Sequence, residues 1–103
     1  MGYRRETVSK KDDNHNEIKA RFEYWGWSTQ DVHSIKRFAD LLVARDNLTA
    51  VIEVKDWKKP KSKRQLTEGE QEFKDGWKGY YFVVEKISDV DYIHKLFFGE
   101  CIK

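Results

Sequence analysis

A chain of 103 residues holds one domain, able to bury roughly 60 to 65% of the surface that its unfolded form exposes. Its 39% hydrophobic content suffices for one sheet and a few helices, whereas 37% charged residues, against a usual ~25%, makes much of the surface ionic. The net charge of +2 is too small to identify a polyanionic partner, the single cysteine, Cys101, excludes an internal disulfide or a cysteine-rich zinc cage, and no stretch approaches the ~20 apolar residues of a membrane span.

Met1 to Asp13 is polar and aperiodic, without an apolar leader, and reads as a flexible arm preceding one domain over residues 14–103. A soluble protein of a reducing, cytoplasmic compartment is expected. Asn14 or Asn16 can cap a first helix, whose stripe Ile18, Phe22 and Trp25 ends near Gly26, with Glu17 in its first turn. Gln30 to Arg37 alternates through Val32 and Ile35 as a half-exposed strand does. Phe38 to Ala44 is an apolar run interrupted by Asp40, and Ala50 to Lys55 is rich in β-formers. The turn pair Asp46 and Asn47 between them predicts a hairpin. A basic loop, Asp56 to Gln65, surrounds the only proline, Pro60. Thr67 and Glu70 then match a capping box for a second helix, which carries Phe73 and Trp77. Tyr80 to Glu85 is a compact strand, and Ser88 can cap a last helix with Val90, Ile93 and Phe97 on one face. The order α-β-β-β-α-β-α, with a strand-helix-strand passage near the end, predicts an α/β domain with a mixed four-stranded sheet flanked by helices.

Side chains alternate along a strand, so Glu53 and Lys55 project from one side and Ile52 and Val54 from the other. If the hairpin pairs as expected, Asp40 comes close to Glu53 and puts two carboxylates and an ammonium on one patch. Carboxylates held a few ångströms apart need a shared proton or a cation. Magnesium, which takes oxygen ligands and keeps several waters, could be held by Asp40, Glu53 and the Val54 carbonyl beside a phosphate oxygen. Lys55 would then orient the attacking water or stabilise phosphoryl charge. On its own, a Glu-x-Lys on a strand is an ordinary solvated pair worth ~0 to 1 kcal/mol. The carboxylate of Asp40 inside an apolar run is what raises the pattern above that level.

Phe38-Ala39-Asp40-Leu41-Leu42-Val43 followed by Ile52-Glu53-Val54-Lys55 resembles the core of PD-(D/E)XK nucleases. Asn14 to Ile18, Gly26-Trp27-Ser28, Lys58 to Arg64, and Leu66-Thr67 with Glu70-Gln71 and Phe73 resemble the small virus-type replication-repair nucleases and related phage proteins. The likeness covers about Asn14 to Val90. It implies a restriction-endonuclease-like core and a Mg²⁺- or Mn²⁺-dependent endonuclease acting on DNA, often branched DNA, with small members similar to homodimeric junction resolvases. By position it implies that Asp40 and Glu53 are metal ligands and Lys55 the catalytic lysine. Glu17 would be a supporting glutamate from the first helix, and Gln71 a glutamine reaching in from the second, with Gln65 as its competitor. Two departures stand out: Ala39 replaces the proline of the motif, and Lys36-Arg37 replace small residues before it. They motivate an alternative, an inactive module of the same fold that binds nucleic acid or a protein partner.

From Lys55 to Arg64 the cations Lys55, Lys58, Lys59, Lys61, Lys63 and Arg64 face one acid, Asp56, a local charge of +5. With Lys36 and Arg37 they form the expected phosphate-binding surface. Trp57, inside this run, can stack on a base or pack in the core. His15, His33 and His94 lack metal-ligand spacing and are expected to be ordinary histidines.

Overall fold

Residues 12–99 are described in a computed structural model of the chain; most of the expected N-terminal arm and Cys101 lie outside the described residues. Helix α1 (His15–Tyr24) leads into strand β1 (Ser28–Asp31), strand β2 (Leu41–Arg45) and strand β3 (Leu48–Val54). A 3-10 turn at Lys61–Lys63 precedes helix α2 (Glu68–Gly76), strand β4 (Tyr80–Val84) and helix α3 (Ile87–Phe98). The order is the predicted one. The sheet runs β1-β2-β3-β4, antiparallel between β1, β2 and β3 and parallel between β3 and β4, so it is mixed and four-stranded.

Period-two alternation decides what each strand buries. Leu41 and Val43, then Ala50, Ile52 and Val54, then Val84, turn to one face and form a core with Ile18 and Phe22 of α1 and Val90 and Ile93 of α3. Each of these side chains larger than Ala50 contributes about 1.5 to 3 kcal/mol when fully buried. The two helices are tied at their ends, where Arg21 Nε and Trp25 Nε1 each donate to Asp91 Oδ1 at 2.8 Å. Helix α2 lies over the opposite face: Phe73 packs on Phe38 and Tyr81 at centroid distances of 5.6 and 5.9 Å and stacks on Trp77.

The hairpin turn is the expected one. Asp46 and Asn47 both sit at positive φ, 52° and 71°, as a two-residue turn matched to strand twist requires, and Arg45 pairs with Leu48 across it. The Thr67–Glu70 capping box also forms, the Glu70 N–H donating to Thr67 Oγ1 and the Thr67 N–H to Glu70 Oε1.

Three expectations are corrected. The first strand is Ser28–Asp31 rather than Gln30 to Arg37. Beyond it the chain closes on itself through Ile35 N–H to Val32 O and Phe38 N–H to Ile35 O, with Arg37 at φ 60° and Ile35 54% exposed. A strand cannot continue through such turns. Strand β2 starts at Leu41, so Asp40 stands at its entrance instead of within it. Ser88 is not the cap of α3: the Asp89 carboxylate accepts from the Glu85 and Lys86 N–H groups at 2.8 and 3.2 Å, and the cap is Lys86, two residues earlier. Among the described residues, no helix is long and apolar enough to cross a membrane.

Candidate active site

Strand register brings the acids together. Leu41 pairs with Ile52, so the next step of the antiparallel ladder sets Asp40 opposite Glu53, and the Asp40 N–H donates to Ile52 O at 3.1 Å. The Val54 N–H donates to Asp40 Oδ2 at 2.8 Å, which fixes that carboxylate at the mouth of β2. Glu53 points to the face opposite the core and is only 5% exposed. Lys55 follows on the same side, its N–H continuing the β3–β4 ladder to Val84 O at 2.9 Å.

Helix α2 supplies a third carboxylate. Glu70 Oε1 accepts from Lys55 Nζ at 2.8 Å and from the Thr67 N–H at 2.8 Å, so the residue that caps the helix also anchors the lysine. Asn14 supports the arrangement from below. Its Nδ2 donates to Lys55 O at 3.0 Å and Glu85 O at 2.8 Å, joining the ends of β3 and β4, and its side chain makes no cap for α1.

The electrostatics follow from this crowding. Burial, with the Asp40 and Glu70 carboxyls in hydrogen-bonding reach, pushes the Glu53 carboxyl up to about 10, so near neutral pH it holds a proton. Burial also pushes Glu70 upward, but the hydrogen bonds from Lys55 and Thr67 outweigh it and hold this carboxyl below the usual range. The Tyr81 phenol is raised by burial and by the surrounding Glu53, Glu70 and Asp40 charges, and its buried hydroxyl has no hydrogen-bond partner among the described residues.

Asp40, Glu53, Val54, Lys55 and Glu70 line an open cleft of about 370 Å³ whose rim includes Arg37, Phe38, Ala39 and Thr67. Asp12 and His33 also line it, neither of them expected there. Two expected members are absent. Glu17 is exposed and does not line the cleft, because α1 turns His15, Ile18 and Phe22 inward and carries Glu17 away. Gln71 is exposed, donates to Asp75 Oδ1 at 2.9 Å, and lines a different hollow together with its competitor Gln65. The helix residue that reaches the acids is Glu70. It shares the stripe of Phe73 and Trp77, at i+3 and i+7, whereas Gln71 lies one position off it. That stripe was the available signal.

The basic residues divide. Lys59 pairs with Asp12 at 3.0 Å, and Arg64 pairs with Glu85 at 3.0 Å while its Nε donates to Lys59 O, so these two fold the loop back onto the domain. Lys58, Lys61 and Lys63 are exposed, and among the described residues no carboxylate lies in ion-pair distance of them. Lys36 and Arg37 stand on the exposed turn before Asp40. Trp57 is 49% exposed at the start of the loop, available for stacking and outside the core. No protein-family model, curated protein or solved structure matches this chain.

Proposed function

We propose that this protein is a Mg²⁺- or Mn²⁺-dependent DNA endonuclease built on a restriction-endonuclease-like core, with a PD-(D/E)XK-type site formed by Asp40, Glu53 and Lys55. The observation that carries the reading is Glu53, buried between Asp40 and Glu70 on the wall of an open cleft with Lys55 beside it. Three carboxyl groups so placed make a hard oxygen donor set that is costly to ionise without a cation, and this donor set fits magnesium or manganese. Asp40 and Glu53, with the Val54 main chain, would hold the ion. When bound, it supplies charge neutralisation on the phosphoryl oxygens and a water of lowered pKa.

The chain's own groups do the rest. Asp40 is oriented by the Val54 N–H, and Glu53 would release its proton to solvent on taking up the ion. Glu70 holds the Lys55 ammonium at the cleft wall, where it can donate to a phosphoryl oxygen as negative charge grows there. Arg37 on the rim, with Lys36, Lys58, Lys61 and Lys63 on the flanking turns, supplies the phosphate-neutralising surface for a duplex or branched DNA. A homodimer related by a two-fold axis would present two such sites to two strands.

The test is incubation of plasmid and four-way junctions with the protein in Mg²⁺, Mn²⁺ and EDTA, beside Asp40→Ala and Lys55→Ala. Metal-dependent cleavage is expected, reduced at least 100-fold in both variants, in the range typical of lost electrostatic stabilisation. Cleavage that survives both substitutions refutes the assignment. Salt-dependent DNA binding with no cleavage by the unaltered chain favours the inactive binding module instead.

A further inference from the structure

His15, Asp31 and His33 form a second cluster beside the cleft. His15 sits in the first turn of α1 and is 1% exposed, Asp31 ends β1, and His33 begins the turns that lead to Asp40. One ligand atom from each lies within 4.8 Å of the other two. His15 Nε2 is 2.7 Å from Asp31 Oδ1, and the two imidazoles meet edge to face at a centroid distance of 5.4 Å.

A buried histidine paired with an aspartate is ordinarily only a structural hydrogen bond. Here a stranded polar atom lies beside that pairing. Nδ1 of His33 is buried with no hydrogen-bond partner among the described residues, a cost of roughly 1 to 3 kcal/mol for a group so stranded. Two imidazoles and one carboxylate are borderline donors, which favour zinc-like divalent ions over magnesium. Bonds of about 2.0 to 2.1 Å in a tetrahedral shell hold ligand atoms roughly 3.3 Å apart, so small side-chain rotations close the cluster onto an ion.

We infer that His15, Asp31 and His33 form a binding site for a zinc-class divalent ion, separate from the carboxylates of the cleft, with a fourth position left to water. The ion takes the place of the proton between His15 and Asp31, and it gives His33 a partner. Lys19 Nζ, 3.2 Å from Asp31 Oδ2, sits on the carboxylate oxygen that the ion leaves. Because His33 also lines the cleft and opens the segment carrying Arg37 and Asp40, such an ion would clip that segment to α1. The inference does not depend on nuclease activity, since none of its three ligands belongs to the acid cluster.

Full-length, tag-free protein is titrated with Zn²⁺ by calorimetry and with Co²⁺ by visible absorption, beside His33→Ala, Asp31→Asn and the double variant Asp40→Asn/Glu53→Gln. One Zn²⁺ per chain is expected to bind in excess Mg²⁺, with affinity at least 10-fold weaker in His33→Ala and Asp31→Asn and unchanged in the cleft double variant. The imidazole proton resonances of the unaltered chain, followed during the same Zn²⁺ titration, should shift for His15 and His33 and not for His94. This readout needs no variant to fold. Absence of Zn²⁺ binding, equal affinity in His33→Ala and Asp31→Asn, or resonance shifts confined to His94 would each overturn the assignment.

Discussion

Glu53→Gln is the perturbation that most directly tests the crowded acid site. Without a cation, the folded chain holds the Glu53 proton more tightly than an unfolded chain does, with a pKa of about 10 against the ordinary 4.5. A folded-state pKa above the unfolded value gives stability that is fully present below about pH 4.5 and is lost as pH rises toward 10. Each pH unit inside that window costs up to about 1.4 kcal/mol, so the loss from this group between pH 5 and 8 is on the order of 2 to 4 kcal/mol. Glutamine has no proton to lose, and its amide has two N–H donors to offer Asp40 and Glu70 where the neutral carboxyl has one O–H. Thermal melts in EDTA should therefore show the Tm of Glu53→Gln gaining on the unaltered protein by on the order of 10 °C between pH 5 and 8. Mg²⁺ at pH 8 should raise the Tm of the unaltered protein and leave that of the variant nearly unmoved. A Tm difference that stays constant from pH 5 to 8, with no response to Mg²⁺, would show that Glu53 is not held between competing carboxylates.

The roles of the two neighbours on α2 separate cleanly. Glu70→Gln should lower cleavage at least 10-fold by releasing the Lys55 ammonium, while Gln71→Ala, which breaks only the exposed bond to Asp75, should leave rates within 2-fold in the same junction assay. Asn14→Ala strands the carbonyls of Lys55 and Glu85 and should cost about 1 to 3 kcal/mol in urea denaturation, with cleavage falling as Lys55 loosens. Replacing Lys58, Lys61 and Lys63 together by alanine should flatten the dependence of log affinity for duplex DNA on log salt by roughly 0.9 for each phosphate that these lysines neutralise. Lys59→Ala and Arg64→Ala, which remove ion pairs within the fold, should change stability more than that slope.

What the chain declares locally is what local sterics enforce. The alternation through Ala50 to Val54 assigns Ile52 and Val54 to the core and Glu53 to the other face, because successive side chains of a strand cannot share a face. Asp46-Asn47 specifies its turn because few residue pairs tolerate two positive φ values in succession, and Thr67 with Glu70 specifies a helix start because the orphan N–H groups need those acceptors. From these follow the order of elements and the approach of Asp40 to Glu53.

Other features depend on partners far apart in the chain, and no local pattern encodes them. Asn14 reads equally well as a helix cap, yet it bonds carbonyls 41 and 71 residues away that become available only once β3 and β4 lie side by side. Alternation through Val32 and Ile35 mimics a strand, but the bonds from the Ile35 N–H to Val32 O and from the Phe38 N–H to Ile35 O close that segment into turns. Glu70 shows its second role only when α2 settles over the sheet and meets Lys55, and His15 and His33 become neighbours only when α1 packs beside β1. Short-range geometry named β3, β4 and the hairpin turn between β2 and β3; tertiary packing chose which of the many charged side chains would meet, since contact between distant residues depends on how whole elements dock.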